Sequence, residues 1–189
     1  KTKELIVDYR RDPPAHQPLV VKGEAVEIVS QYKYLGTILD DKLDWSEQAT
    51  AMLKRGNQRL FFLKKLKAFH VCPKLLELFY RATVESVLTF NSLCFFGSMK
   101  EHDKARLEKI PKTASKLVGG RLDDLQSLYE LKVVKRLGAI RADDSHPLFR
   151  DISAQESSRS SRLRSLKTRT NRYLNSFLPT AVRLYNRTT

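Results

Sequence analysis

Three kinds of residue cluster in this chain have the types and spacing to do chemistry. Asp40-Asp41 and Asp143-Asp144 have the letters of a two-metal site, Asp144-Ser145-His146 those of a hydrolase triad, and Lys54, Arg55, Arg59, Lys64, Lys65 and Lys67 crowd one stretch. Two-metal catalysis needs carboxylates from separate strands converging on ions about 4 Å apart, and neither adjacent pair meets that need. Asp40-Asp41 falls where a strand pattern gives way to a helical one, and Asp143-Asp144 leads into Ser-His-Pro, a helix stop. Both pairs read as turn or cap residues. A triad converges in space rather than along the chain, so Asp144-Ser145-His146 is read as part of that stop. Gly119-Gly120 lacks the Lys-Ser/Thr of a phosphate loop and ends a helix instead.

Metal and redox chemistry find no pattern either. His16, His70, His102 and His146 lack ligand spacing, and Cys72 and Cys94 lie apart with no Cys-x-x-Cys pair. No catalytic residue, metal site or cofactor is therefore expected, and the two cysteines are read as buried thiols of a reducing compartment, cytoplasmic or nuclear. No apolar run approaches the roughly 18 residues that a membrane span needs, so no membrane partner is expected.

The basic stretch is the cluster that remains. The chain carries a formal charge of +14 over 189 residues, and the excess is uneven. Residues 46–100 hold 9 Lys/Arg against 3 Asp/Glu, and residues 150–189 hold 9 against 2, whereas residues 1–45 are nearly balanced. Cations grouped in this way point to a polyanion, most simply nucleic acid, bound by phosphate neutralisation and counterion release. The plainer alternative is a solvated face on a helical protein.

The elements that must position those cations follow from periodicity. Glu4–Tyr9 reads as a strand stopped by Pro13-Pro14, and Leu19–Val21 and Ala25–Val29 read as a hairpin around Gly23. Residues 32–39 read as a last strand, with Gly36 allowing a close approach. So small a β unit cannot bury both faces alone.

A first helix starts at Asp44, with Glu47 completing a capping box, and places 49, 52, 53, 56, 60 and 63 on its apolar face. A second, opened by Pro73, is apolar almost all round and so central, and most of the aromatics from Phe61 to Phe96 are read as core. A third spans about 103–118 and a fourth about 123–142. The Ser/Arg-rich run from 153 reads as flexible, ahead of a short amphipathic helix at 177–185. The fold class is thus α+β: a small antiparallel β unit (1–45), a basic helical bundle (46–148) and a partly disordered basic tail (149–189).

The order of these motifs resembles the end of the palm and the thumb of a non-LTR (LINE-type) retrotransposon reverse transcriptase. The likeness rests on Lys1-Thr2-Lys3, Tyr34-Leu35-Gly36, Leu60–Lys67, Phe79-Tyr80-Arg81, Ser145–Phe149 and Arg169–Arg172. It implies a non-catalytic carboxyl-terminal fragment whose catalytic aspartates lie upstream of Lys1, in keeping with a chain that starts without Met. Lys1 would then lie near nucleotide phosphates, and Tyr34, Leu35 and Gly36 would form the primer grip. Lys54, Arg55, Arg59, Lys64, Lys65, Lys67, Arg169 and Arg172 would track nucleic acid. The implied partners are an RNA–DNA or other nucleic-acid duplex and the upstream palm.

The first 45 residues also resemble a short segment at the start of an AlkB-homologue family of tRNA-modifying enzymes, implying a link to dioxygenase or methyltransferase modification. The chain has no His-x-Asp iron site or methyl-donor loop. A further alternative is a protein-interaction module built on the helical bundle.

Overall fold

β-branched runs broken by turn residues give short strand pairings at the amino end, and longer runs at helical spacing supply the rest. The computed structural model describes residues 2–188, with side chains to residue 187. Lys1 lies outside the described residues. The strands are β1 (Lys3–Glu4), β2 (Val20–Val21), β3 (Glu24–Ala25), β4 (Glu27–Ile28), β5 (Gln31–Tyr34) and β6 (Thr37–Asp40). β2 and β3 form the expected antiparallel hairpin across Lys22-Gly23, and β5 and β6 form a second. β1 instead pairs parallel with β4, Lys3 opposite Glu27. The expected strand over Glu4–Tyr9 stops at Glu4, because Asp8 captures the backbone N–H and guanidinium of Arg10 and folds the chain away. That guanidinium holds the Asp8 carboxyl well below the usual carboxylate range.

The β5–β6 hairpin corrects the reading of 32–39 as one strand. Leu35 (φ 45°) and Gly36 (φ 85°) are both left-handed, the geometry of a tight hairpin turn. β6 faces inward. Its Ile38 N–H donates to the buried Gln48 side chain at 2.9 Å, and Asn91 donates to Thr37 Oγ1 at 3.1 Å. β5 is exposed along its whole length. The unit leaves Val7, Tyr9, Leu19, Val20, Val21, Ile28, Tyr32 and Tyr34 exposed, consistent with the expectation that it cannot cover itself.

Asp40 then organises the turn into the first helix by accepting the N–H groups of Lys42 and Asp44. α1 (Ser46–Ala68) starts without a side-chain cap of its own. Asp44 accepts from Ser46 N and from Lys100 Nζ, and the capping box with Glu47 does not form. Its inner face is the expected one, with Ala49, Met52, Gly56, Leu60 and Leu63 buried. α2 (Pro73–Phe79), opened by Pro73, continues through a π-helical turn (Tyr80–Glu85) into α3 (Ser86–Thr89). The widened turn leaves the Thr83 carbonyl to accept from the Arg59 guanidinium and from Ser86 Oγ.

Phe90-Asn91 breaks the run, and α4 (Ser92–Phe95) and a 3₁₀ turn (Phe96–Ser98) follow. α5 (Glu101–Val118) ends at Gly119, and α6 (Leu125–Arg141) is capped by Asp124, which accepts from Ser127 N at 2.8 Å. α1 crosses α5 at Gly56, where an added Cβ would stand 2.6 Å from Ile110 Cδ1.

The carboxyl end departs from expectation. After α7 (Phe149–Ser153), residues 158–162 are exposed and irregular, as their composition predicts. The tail around them is docked. α8 (Asn171–Leu174) leads to α9 (Phe177–Thr188), which lays Ala181, Val182 and Leu184 into the core beside α6. Asn186 brackets Leu163 by accepting its N–H at 2.9 Å and donating to its carbonyl at 2.8 Å. An amphipathic helix in water must find an apolar partner, and α6 supplies one.

Two further expectations are corrected. Phe61, Phe62, Phe69 and Phe90 are exposed, as are Leu75 and Leu78 on α2, so that helix is not apolar-buried all round. Cys72 and Cys94 are exposed free thiols. Phe61 and Phe62 are on the outer side of α1, Cys94, Leu75 and Leu78 on the outer sides of short helices, and Phe69, Cys72 and Phe90 at helix ends, where no element covers them.

Candidate nucleic-acid interface

The outer face of α1 is set by the 3.6-residue period: with Met52, Gly56, Leu60 and Leu63 inward, Lys54, Gln58, Phe61 and Lys65 share one outward stripe. Phe62, 57% exposed, borders it. Phe61 and Phe62 pack edge to face with ring centroids 5.8 Å apart, and Lys65 Nζ sits 5.4 Å from the Phe61 centroid. Lys64 and Lys67 are exposed but lie off the stripe toward the end of the helix. Among the described residues no carboxylate lies within 4.0 Å of the ammonium groups of Lys54, Lys64, Lys65 or Lys67, in contrast to Lys100 and Lys104, which pair with Asp44 and Glu101. Charges left unpaired beside flat rings present phosphate-seeking and base-stacking groups together.

The other candidate residues are placed differently. Arg59 is half-buried and committed to the Thr83 carbonyl, so it joins α1 to the π-helical turn. Arg55 is half-buried on the same flank. Arg169 is exposed. Arg172 is not free: its Nη1 donates to Tyr9 Oη at 2.7 Å and to the Lys42 carbonyl at 2.9 Å, and its guanidinium lies 4.1 Å from the Tyr9 ring centroid. Tyr34 and Leu35 stand at an exposed hairpin tip and Gly36 sits under Phe90, whose Cε1 would be 3.2 Å from an added Cβ. Tyr34 ends β5, opposite Thr37, and Leu35 and Gly36 form the turn that follows it. Sequence reasoning passed over Gln58 and the outward placement of Phe61 and Phe62, although the spacing 54, 58, 61, 65 carries that information.

The carboxylate pairs do turn work. Asp40 holds the turn into α1, and Asp143 accepts from Ser145 N at 3.1 Å and from Ser145 Oγ at 2.6 Å. That bonding also holds the Asp143 carboxyl below its ordinary range. Among the described residues no group of three or more His, Cys, Asp or Glu could hold a metal ion. Among the described residues no helix is long and apolar enough to cross a membrane.

The outer side of α1 is thus a cationic helical surface that carries exposed aromatics. The family model that matches this stretch is described as "Alkylated DNA repair protein alkB homolog 8, N-terminal", over residues 45–86. The match spans α1, α2 and the π-helical turn, under a quarter of the chain. It overturns the likeness to LINE-type reverse transcriptases drawn from motif order. Short strings such as Tyr-Leu-Gly recur too easily to carry a parentage, and here that string forms a turn. It also relocates the AlkB-homologue likeness from residues 1–45 to the helices that follow. No curated protein and no solved structure matches the chain.

Proposed function

We propose that this chain is a non-catalytic nucleic-acid-binding module that serves an enzyme of AlkB-type nucleic-acid modification. The observation that carries the reading is the outer face of α1, where lysines without carboxylate partners alternate with exposed Phe61 and Phe62. The stretch matched by the repair-protein family model is the stretch that holds this face. The lysines neutralise phosphates, and the rings stack on bases wherever a strand is open. Binding of this kind is tolerant of sequence and sensitive to salt, because no group on the face has the fixed bidentate geometry that reads a base edge.

The test is a titration of labelled RNA and DNA, duplex and single-stranded, across a range of salt concentrations. Engagement of three or four phosphates gives a slope of about −3 in log affinity against log salt on duplex DNA. Phe62→Ala weakens single-strand binding more than duplex binding. Affinity that does not change with salt, or capture of a protein partner by Phe61 and Phe62 with no nucleic-acid binding, would assign the face to protein docking instead.

A further inference from the structure

A second site lies away from α1, in a cleft of about 590 Å³ between α4, α6 and the α8–α9 junction. That size is in the range of small-ligand pockets. Its polar wall contains Arg136, His146 and Ser92, and its apolar wall contains Leu93, Ile140 and Leu148.

Two observations point independently to an absent acceptor. His146 Nδ1 accepts the Leu148 N–H at 3.1 Å, which leaves the proton of the neutral ring on Nε2. That Nε2–H faces Arg136 Nη2 at 3.1 Å, donor against donor. Two donors held this close satisfy neither, and an anionic oxygen between them satisfies both. Separately, Ser92 is 3% exposed, lines the cleft, and its buried Oγ has no hydrogen-bond partner. A buried hydroxyl left unpaired destabilises the fold unless a ligand completes it. The competing anion is Asp143, whose Oδ1 accepts from Ser145 N and Oγ and whose charge is felt by both His146 and Arg136.

We propose that this cleft binds the 5′-phosphate of a nucleotide. Arg136 and His146 clamp phosphate oxygens and Ser92 hydrogen-bonds the ligand. Leu93, Ile140 and Leu148 cover the base, and the Asn175 amide, which also lines the cleft, offers a donor and an acceptor to its edge. Lys132, whose Nζ donates to the Thr89 carbonyl at 2.9 Å, adds positive potential from the floor.

The test is calorimetric titration of the full chain with adenosine 5′-monophosphate, adenosine and inorganic phosphate. The monophosphate is expected to bind with a Kd on the order of 0.1 mM, phosphate more weakly, and adenosine not measurably. Arg136→Gln and His146→Asn are each expected to weaken monophosphate binding about tenfold, and Ser92→Ala several-fold, with the melting temperature held as the folding control. Because Arg136 is exposed, its variant folds and keeps the test decisive. A 5′-phosphorylated trinucleotide that outcompetes the monophosphate identifies a strand end as the source of the phosphate, and one that does not identifies a free nucleotide. Binding that survives Arg136→Gln unchanged overturns the site, and equal affinity for phosphate and the monophosphate overturns the nucleotide assignment. Reversing the α1 lysines leaves this binding intact, so failure here and failure of the α1 reading are separable.

Discussion

Arg172 lays its guanidinium 4.1 Å from the ring centroid of Tyr9 and donates to that residue's hydroxyl, closing a contact across 163 positions of chain. The same Nη1 reaches the Lys42 carbonyl, so one side chain ties the tail, the amino-terminal segment and the turn into α1. Arg172→Ala is expected to cost about 1 kcal/mol in chemical denaturation, and Arg172→Lys not to restore it, because an ammonium loses the flat face that stacks. Nucleic-acid affinity should stay within about twofold, since the guanidinium is held against Tyr9 and the Lys42 carbonyl. A large loss of affinity with unchanged stability would show that Arg172 belongs to the interface after all.

Gly97 sets how closely the tail can approach. A Cβ there would stand 2.3 Å from the Asn175 carbonyl oxygen and 2.6 Å from Tyr129 Oη. Gly97→Ala is expected to destabilise the chain by about 1–3 kcal/mol and to speed limited proteolysis across 158–162. Unchanged cleavage in that run would mean that the tail is held elsewhere.

Asp44 and Lys100 join the turn before α1 to the start of α5 at 2.7 Å. The Lys100 hydrogen bond, helped by the Ser46 N–H, pulls the Asp44 carboxyl from 3.8 down to about 2. A folded pKa below the unfolded one gives stability that is present above about pH 4 and lost as pH falls through about 2. Asp44→Asn should flatten the acid limb of a stability-versus-pH curve in that window. Both side chains are partly exposed, so the effect at neutral pH is small.

Glu85 sits in the π-helical turn, where burial pushes its carboxyl above the ordinary value and outweighs the attraction of Arg81. A raised folded pKa in an acid favours the protonated fold, so the contribution is present at low pH and fades as pH rises through the folded pKa. Glu85→Gln should raise the melting temperature at pH 7 and give no advantage below about pH 4. A lower melting temperature at pH 7 would show that the Arg81 contact at 3.7 Å outweighs burial.

What could be read in the sequence was what local periodicity and turn chemistry decide. The inner face of α1, the Pro73 start, the Gly119 stop and the Lys22-Gly23 hairpin all follow from residues within one turn of each other. The misreadings lie where distant residues decide. Leu35 takes a positive φ because Asn91 and Gln48 hold β6 back against the helices, and no local signal states that. Arg172 looked like a free cation because Tyr9 and Lys42 are far away in sequence. The docked tail was partly visible, since the stripe of Ala181, Val182 and Leu184 requires a partner. The Arg136–His146–Ser92 cleft has no sequence signature, being assembled from three separate elements.

The central claim is that the lysines of α1, on the stripe and beside it, rather than net charge, grip nucleic acid. The direct measurement compares two fourfold charge reversals in duplex binding at fixed salt: Lys54, Lys64, Lys65 and Lys67 to Glu, and the exposed Lys109, Lys112, Lys116 and Lys135 to Glu. Both change the net charge equally. The account predicts that the first set lowers affinity by at least about a hundredfold and flattens the salt slope by about 3, while the second leaves most of both. Equal losses from the two sets, or no loss from the first, would contradict it.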